Sequence, residues 1–361
     1  MHWHWLHPLV ARPGQGAAFL ALAVLVALAV DRVWGEPPAR WHPVVWMGQA
    51  LGACGRWVAP TASTGRDLKG FWLAALFWCA LAAIVLIVSA LLQAAVLYVW
   101  GAPTEVCEVI IDMPGLGLEG ASAMVGVLRF LLAALLLGLL LKPLFAFRLL
   151  LREVRAVEDA LARSLGEGRA RLAWLVSRDV TQLSADEVRQ SAIESLAENL
   201  NDSVVAPLFW FAVAGLPGAA LYRLANTADA MWGYRGMREG RYWEWAGKWA
   251  AHADDVLSWL PARITALLLA LAGRGVRPRA LAREARRTPS PNSGWPMAAM
   301  ALVLDVRLTK PGVYQLHAQG RAPGAPDVAR AETVASKVVM AIAGIAGAAI
   351  VIVVIEGVWN V

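Results

Sequence analysis

Acid and amide side chains gather at one place in an otherwise apolar chain, Glu194-Ser195-Leu196-Ala197-Glu198-Asn199-Leu200-Asn201-Asp202. On a helix, Glu194 and Glu198 are i,i+4 neighbours, and Asn201 and Asp202 lie one turn further along that face. Stacked carboxylates repel, so the stripe costs helix stability unless a cation sits beside it. Ile193, Leu196, Ala197 and Leu200 fill the other side. Such a face suits a divalent metal, a polar substrate or both; a solvated helix face accounts for the same spacing. Ser184 followed by Glu187 fits a capping box, which starts the helix near Ala185.

Other polar groups stand at the edges of apolar runs. Asp31, Glu36 and His42 fall in a Gly- and Pro-punctuated loop directly after the first run, where an interfacial turn is the plainer reading. Asn226, Asp229, Arg235, Arg241 and Lys248 sit among Trp232, Tyr242, Trp243, Trp245 and Trp249. Asp254-Asp255 reads as a second carboxylate pair or as a helix N-terminal pair favoured by the dipole. Asn292 belongs to the segment Thr288–Pro296, whose three prolines and glycine predict a rigid irregular loop.

The scaffold that must position these groups is a membrane protein. Of 361 residues, 58% are hydrophobic and 17% charged, and mean hydropathy is +0.53, far from the composition of a soluble domain. Apolar periodicity predicts an all-α, polytopic helical bundle in one membrane-embedded domain, residues 1–361, with spans at 16–30, 71–100, 121–147 and 334–359. Segments 31–70 and 148–203 carry five and eight Lys/Arg, whereas 101–120 has four acids and no base. The positive-inside rule puts the first two in the cytoplasm and the third outside. Runs 204–222 and 256–273 are interrupted by Pro207, Gly215, Pro217, Pro261 and Arg263, and the stretch between them holds five Lys/Arg. These runs are therefore read as re-entrant or buried helices, within a cytoplasm-facing region 148–333. Residues 148–192 predict a helical hairpin turning at Gly166 and Gly168.

The same composition excludes other functions. The net charge of +6 is topological, not a nucleic-acid footprint. Cys54, Cys79 and Cys107 share no metal-ligand spacing, and His2, His4 and His7 stand at a Trp-rich terminus. Gly115–Gly120 matches G-x-G-x-x-G formally, but no strand precedes it, and no P-loop occurs in the chain.

Taken in order, five segments resemble the CobD/CbiB family of cobalamin biosynthesis: Asp31–Gly48, Glu194–Trp210, Asn226–Arg235, Asp254–Arg263 and Ser290–Pro296. The resemblance implies an adenosylcobinamide-phosphate synthase, an ATP-dependent ligase of the cell inner membrane whose active site faces the cytoplasm. It would join adenosylcobyric acid, a corrinoid, to aminopropanol or its O-phosphate, with ATP and Mg2+ as cofactors. It leaves open a homo-oligomer or a complex with other enzymes of the pathway. Carried onto these positions, Glu194, Glu198 and Asp202 supply the base or the metal site. Asp31, His42, Asn199, Asn201, Asn226, Asp229, Arg235 and Asn292 bind substrate, with Arg235 on a phosphate. Glu198, Asp202, Asp254 and Asp255 are the expected metal ligands. The chain departs from the family pattern at Glu36, at Met297 and over Thr309–Leu316, which points away from 297–320 as part of the site. The competing reading is a non-catalytic AmpE-like membrane regulator of the same superfamily.

Overall fold

Long apolar runs free of breakers bury no polar group when they close their own backbone hydrogen bonds, so they fold as long helices. The computed structural model describes residues 13–62, 65–101, 118–273 and 275–359. The three N-terminal histidines, Cys107, the acids at 105, 108 and 112 and the first residues of the Gly115–Gly120 segment lie outside them. Helix α1 is Pro13–Val33, α2 Pro43–Val58, α3 Leu68–Gly101 and α4 Leu118–Leu141. Next come α5, Phe147–Arg163, α6, Leu165–Leu172, α7, Ala185–Leu200, and α8, Ala206–Trp232. Helices α9, Lys248–Ala272, α10, Pro278–Ala285, α11, Gly294–Leu304, and α12, Ala325–Trp359, complete the bundle. Two antiparallel ribbons join it: β1 (Met237–Arg238) with β2 (Arg241–Tyr242), and β3 (Leu308–Lys310) with β4 (Tyr314–Leu316).

Six helical stretches are long and apolar enough to cross a membrane by length and composition. The chain is a polytopic helical membrane protein. Phe19 of α1 stacks on Trp100 of α3, with ring centroids 4.7 Å apart, and meets Phe130 of α4 edge-on, which ties these three helices at one level. Gly138 lets α4 close on α1: a Cβ there would collide with the Ala23 carbonyl. The apolar run 121–147 does not stay one helix. It stops at Leu141, and extended backbone at Phe145 separates it from the amphipathic α5. The hairpin after it turns at Ser164, not at the glycines. Ser164 is extended and caps α6 by accepting from the Glu167 N–H, so Gly166 and Gly168 fall inside that helix.

Helix α8 is two arms folded back on each other. Ala214 and Gly215 leave helical geometry, Gly215 with φ 65° and ψ −156°. Beyond this break, Gly218 lies against the Trp210 carbonyl, and Tyr222 and Arg223 both reach Asp202. The pairs 210 with 218 and 202 with 222 define antiparallel arms. The first, 206–213, is about 12 Å long, well short of the ~30 Å hydrocarbon core. Its bend leaves the Leu216 N–H without a helical partner, and Gln93, the single amide in the apolar α3, accepts it at 2.7 Å. Helix α9 runs beside both arms, as shown by Trp210 donating to the Leu257 carbonyl and by Tyr222 against Ser258.

The Gly215 conformation is open essentially to glycine alone, and a Cβ there would strike the Gln93 side chain. Gly215→Ala is therefore expected to lower stability by about 2 kcal/mol or more. Thermal melting of the detergent-solubilised variant measures this, and a wild-type melting curve would remove the bend as a structural determinant.

Candidate active site

The α7 stripe is an inward face. The capping box forms as the sequence suggests: Ser184 accepts from the Glu187 N–H, and the Glu187 carboxylate accepts from the Ser184 N–H. From that start Glu194 is buried and Glu198 half-buried, so a solvated face is ruled out. The cation that the stacked carboxylates require is Arg178, which donates to Glu194 Oε2 at 2.8 Å. Glu194, Glu198 and Arg178 line a cavity of about 140 Å³ together with Ser195, Lys310 and Tyr314. Burial, then the charges of Glu194 and Glu198, push the ionisation of the Tyr314 hydroxyl upward, so it stays a proton donor.

Lys310 and Tyr314 end the paired strands β3 and β4, within the region that its departures from the family pattern pointed away from. The ribbon corrects that expectation. Its register sets Lys310 opposite Tyr314, and both reach the cavity. Met297 is buried, with its sulfur 3.7 Å from the Tyr314 hydroxyl.

Beyond Leu200 the backbone widens into a π turn, Asn201–Val205, a device frequent at functional sites. Asn201 is held from both sides: it donates to Asp202 Oδ1 at 2.7 Å and accepts from Thr265 at 3.0 Å. Asp202 thereby enters a second polar cluster at the foot of the α8 arms. Tyr222 bridges Asp202 and Ser258, at 3.4 and 3.0 Å. Arg223 donates to the Asp202 carbonyl at 2.9 Å and to Asn226 at 3.3 Å, and Asn226 reaches Asp254 at 3.5 Å. Asp229 has Asp255 and Asp202 as electrostatic neighbours.

The pair at 254–255 is no helix terminus, because α9 begins at Lys248. Successive helical residues point about 100° apart, so the pair divides. Asp254 faces Asn226 and Ser258, while Asp255 accepts from Asn292 at 3.4 Å. Asn292 is fixed by its bond to the Asp255 carbonyl at 2.7 Å and by Arg263 at 2.9 Å. Arg263 in turn sits over the rings of Trp259 and Trp295. Gly294-Trp295-Pro296, expected as loop, opens α11 instead, since Pro is tolerated in a first helical turn.

Not every expected site residue joins these clusters. Asn199 bonds back to Ser195 at 2.9 Å. Arg235 is exposed, near Asp255. Arg241 donates to the Ala59 carbonyl, and Lys248 lies over Trp245. Asp31 and His42 belong to a third network. Lys142 contacts Asp31 at 3.1 Å and Glu36 at 2.8 Å, His42 Nε2 lies 3.0 Å from Glu36, and Asp31 accepts from the Arg148 N–H at the start of α5. Arg223 joins the networks, with Asp202, Glu36 and Asp254 all among its electrostatic neighbours.

Among the described residues no three His, Cys, Asp or Glu side chains form a ready metal cage. Mg2+ usually takes one or two protein carboxylates and completes its shell with water and substrate phosphate. Asp202 and Asp254, on facing elements with Asn226 and Ser258 beside them, fit that mode. The 140 Å³ cavity is the size of a small polar molecule and smaller than a nucleotide.

A family profile described as CobD/Cbib protein matches residues 24–345. The chain belongs to the CobD/CbiB family. A probable cobalamin biosynthesis protein CobD of Methanothermobacter thermautotrophicus is 37% identical over 300 residues, covering 81% of this chain and 85% of the relative. The cobalamin biosynthesis protein CobD of Halalkalibacterium halodurans is 37% identical over 308 residues, 81% and 82% of the two chains. That of Rhodobacter capsulatus is 47% identical over 182 residues, 49% and 56%. No solved structure matches.

For this CobD/CbiB chain, sequence reasoning missed Arg178, Tyr222, Arg223, Arg263, Lys310 and Tyr314. Arg178 carried a signal, since stacked carboxylates demand a nearby cation. Lys310 and Tyr314 carried none, because only the fold brings β3 and β4 to α7.

Glu36, in the loop after α1, supplies a pH test. Burial opposes its ionisation, but His42 and Lys142 outweigh burial and hold the carboxyl below its ordinary value of 4.5. A depressed carboxyl stabilises the fold above its unfolded value, and that contribution is lost as pH falls through the folded value. Acid unfolding is expected to set in below pH 4.5, and Lys142→Met to bring the onset to higher pH. An unchanged acid limb in circular dichroism would discount the pair.

Proposed function

We propose that this chain is an ATP-dependent amide ligase of cobalamin biosynthesis, joining a propionate of adenosylcobyric acid to aminopropanol O-phosphate. The observation that carries the reading is the small cavity where two carboxylates face two cations. An amino-alcohol phosphate has matching charges at matching ends. Its ammonium suits Glu198, and its phosphate suits Arg178 and Lys310. The unphosphorylated amino alcohol would leave that cationic end unused. The names of the relatives, cobalamin biosynthesis proteins, support the pathway.

The chemistry fits the residue types. A carboxylate is a poor electrophile and must be activated: ATP gives up its terminal phosphoryl group to form an acyl phosphate and leaves as ADP, and the amine then attacks the carbonyl carbon and expels inorganic phosphate. The amine must shed a proton, and Glu198 is the carboxylate placed to take it. Tyr314, kept protonated, donates within the same cavity. Asp202 and Asp254 would hold Mg2+, which screens phosphate charge when bound. Asn226 and Asn292 orient the neutral parts of the substrates, and Arg223 supplies cationic charge beside them. The cavity is lined from the basic segments 148–203 and 274–333, which by the charge rule face the cytoplasm of the inner membrane. An AmpE-like regulator or sensor would need no base and no carboxylate pair for a metal beside that cavity.

Glu198→Gln keeps the shape and removes the base. Amide formation by the solubilised variant is expected to fall about 100-fold or more in kcat, with membrane insertion and melting intact; near-normal turnover would remove Glu198 from the mechanism. Arg178→Gln is expected to raise KM for the phosphorylated amine more than for the free amine, and equal effects would argue against the phosphate assignment. A deletion strain separates enzyme from regulator, because accumulated cobyric acid relieved by added cobinamide supports the ligase and unchanged cobinamide output opposes it.

A further inference from the structure

A second cavity, of about 600 Å³, lies away from the proposed reaction site, between the end of α1, the start of α5 and the middle of α12. One end is cationic. Arg148, Arg152 and Arg155 follow one another at i, i+4 and i+7 on α5, and Arg32 closes the group from α1. The other end is apolar, with Leu28 and Met340 among its walls, and Met340 is 70% exposed on the outward face of α12. The cavity therefore joins apolar walls, with Met340 exposed on an apolar helix, to fixed positive charge.

The arginines are not all used within the fold. Arg155 is paired with Glu332, and Arg148 donates to the Val33 carbonyl at 2.6 Å. The one acid in the wall, Asp31, is neutralised by Lys142. Arg32 has no ion-pair partner among the described residues, and Arg152, 74% exposed, touches only its neighbour Glu153 at 3.5 Å. Glu153 is itself committed to Arg171. Two guanidinium groups are thus left beside an apolar slot at the basic, cytoplasm-assigned edge of the bundle. Basic pockets of this kind between membrane helices suit anionic headgroups.

We propose that this cavity binds an anionic glycerophospholipid, its phosphate on Arg32 and Arg152 and an acyl chain along Leu28 and Met340. The charge selects the headgroup, and the apolar walls distinguish a lipid from a free anion, which would gain nothing from them. The site is tied to the rest of the chain through Asp31, which caps α5 and shares Lys142 with Glu36.

Native mass spectrometry of the full chain, titrated with phosphatidylglycerol or phosphatidylcholine, tests the proposal. The wild type is expected to retain phosphatidylglycerol in preference, and Arg32→Gln with Arg152→Gln to weaken that retention roughly thirtyfold at an unchanged melting temperature. Both side chains are on the surface, and the Arg→Lys pair is expected to keep most of the preference. Equal retention of the two lipids by the wild type overturns the proposal whatever the variants do. So does an undiminished preference in the double Gln variant, or displacement of the lipid by millimolar inorganic phosphate, which would mark a free-anion site.

Discussion

Carboxylates outnumber cations where α7, α8 and α9 meet, and much of this fold is arranged around that imbalance. Glu194, Glu198, Asp202, Asp229 and Asp254 stand on α7, the π turn, α8 and α9 in largely buried surroundings. Ionised groups removed from water are costly unless paired, so each counter-charge is placed with care. Arg178 takes one end of the stripe and Arg223 the other, and Lys310 approaches on a ribbon. Asp202 and Asp254 are held by neutral donors: Asn201, Tyr222, Asn226 and Ser258. Amide and hydroxyl donors steady a carboxylate without cancelling its charge, which leaves that charge free for cationic ligands.

The imbalance also accounts for the shape of α8. A straight crossing would carry Tyr222, Arg223 and Asn226 away from Asp202. The bend at Ala214–Gly215 brings the second arm back past the π turn, and both ends of the hairpin then serve the same acids. Gln93 supports the bend inside the bundle by accepting the Leu216 N–H. An amide buried in an apolar helix and a glycine at positive φ are thus parts of the same device that assembles the site.

Much of this was legible from local pattern. The capping box at Ser184 fixed where α7 starts, and i,i+4 spacing put Glu194 and Glu198 on one face. The apolar runs located α1 and α3 to within a few residues and marked the middles of the other long helices. What escaped were contests between local signals and features decided by distant contacts. The α5–α6 turn went to Ser164 because a capping side chain outweighed two glycines. Pro296 read as a breaker, although in a first turn its missing N–H costs nothing. The split of Asp254 from Asp255 needed the true start of α9, eight residues before the apolar run. Gln93 was visible as an oddity in α3, but its partner lies 123 residues away.

Asp31 and His42 show how residues of one motif can be engaged by their own fold. They stand in a segment shared with the family pattern, yet their contacts are with Glu36, Lys142 and the first N–H groups of α5. Asp31 fastens α1 to α5, and Lys142 fastens the α4 end to both. Arg223 has both Glu36 and Asp202 among its electrostatic neighbours and so stands between this framework and the acids of the π turn. Asp31, Glu36 and His42 thus fix the loop beyond the first membrane helix to the α4 end and to the start of α5.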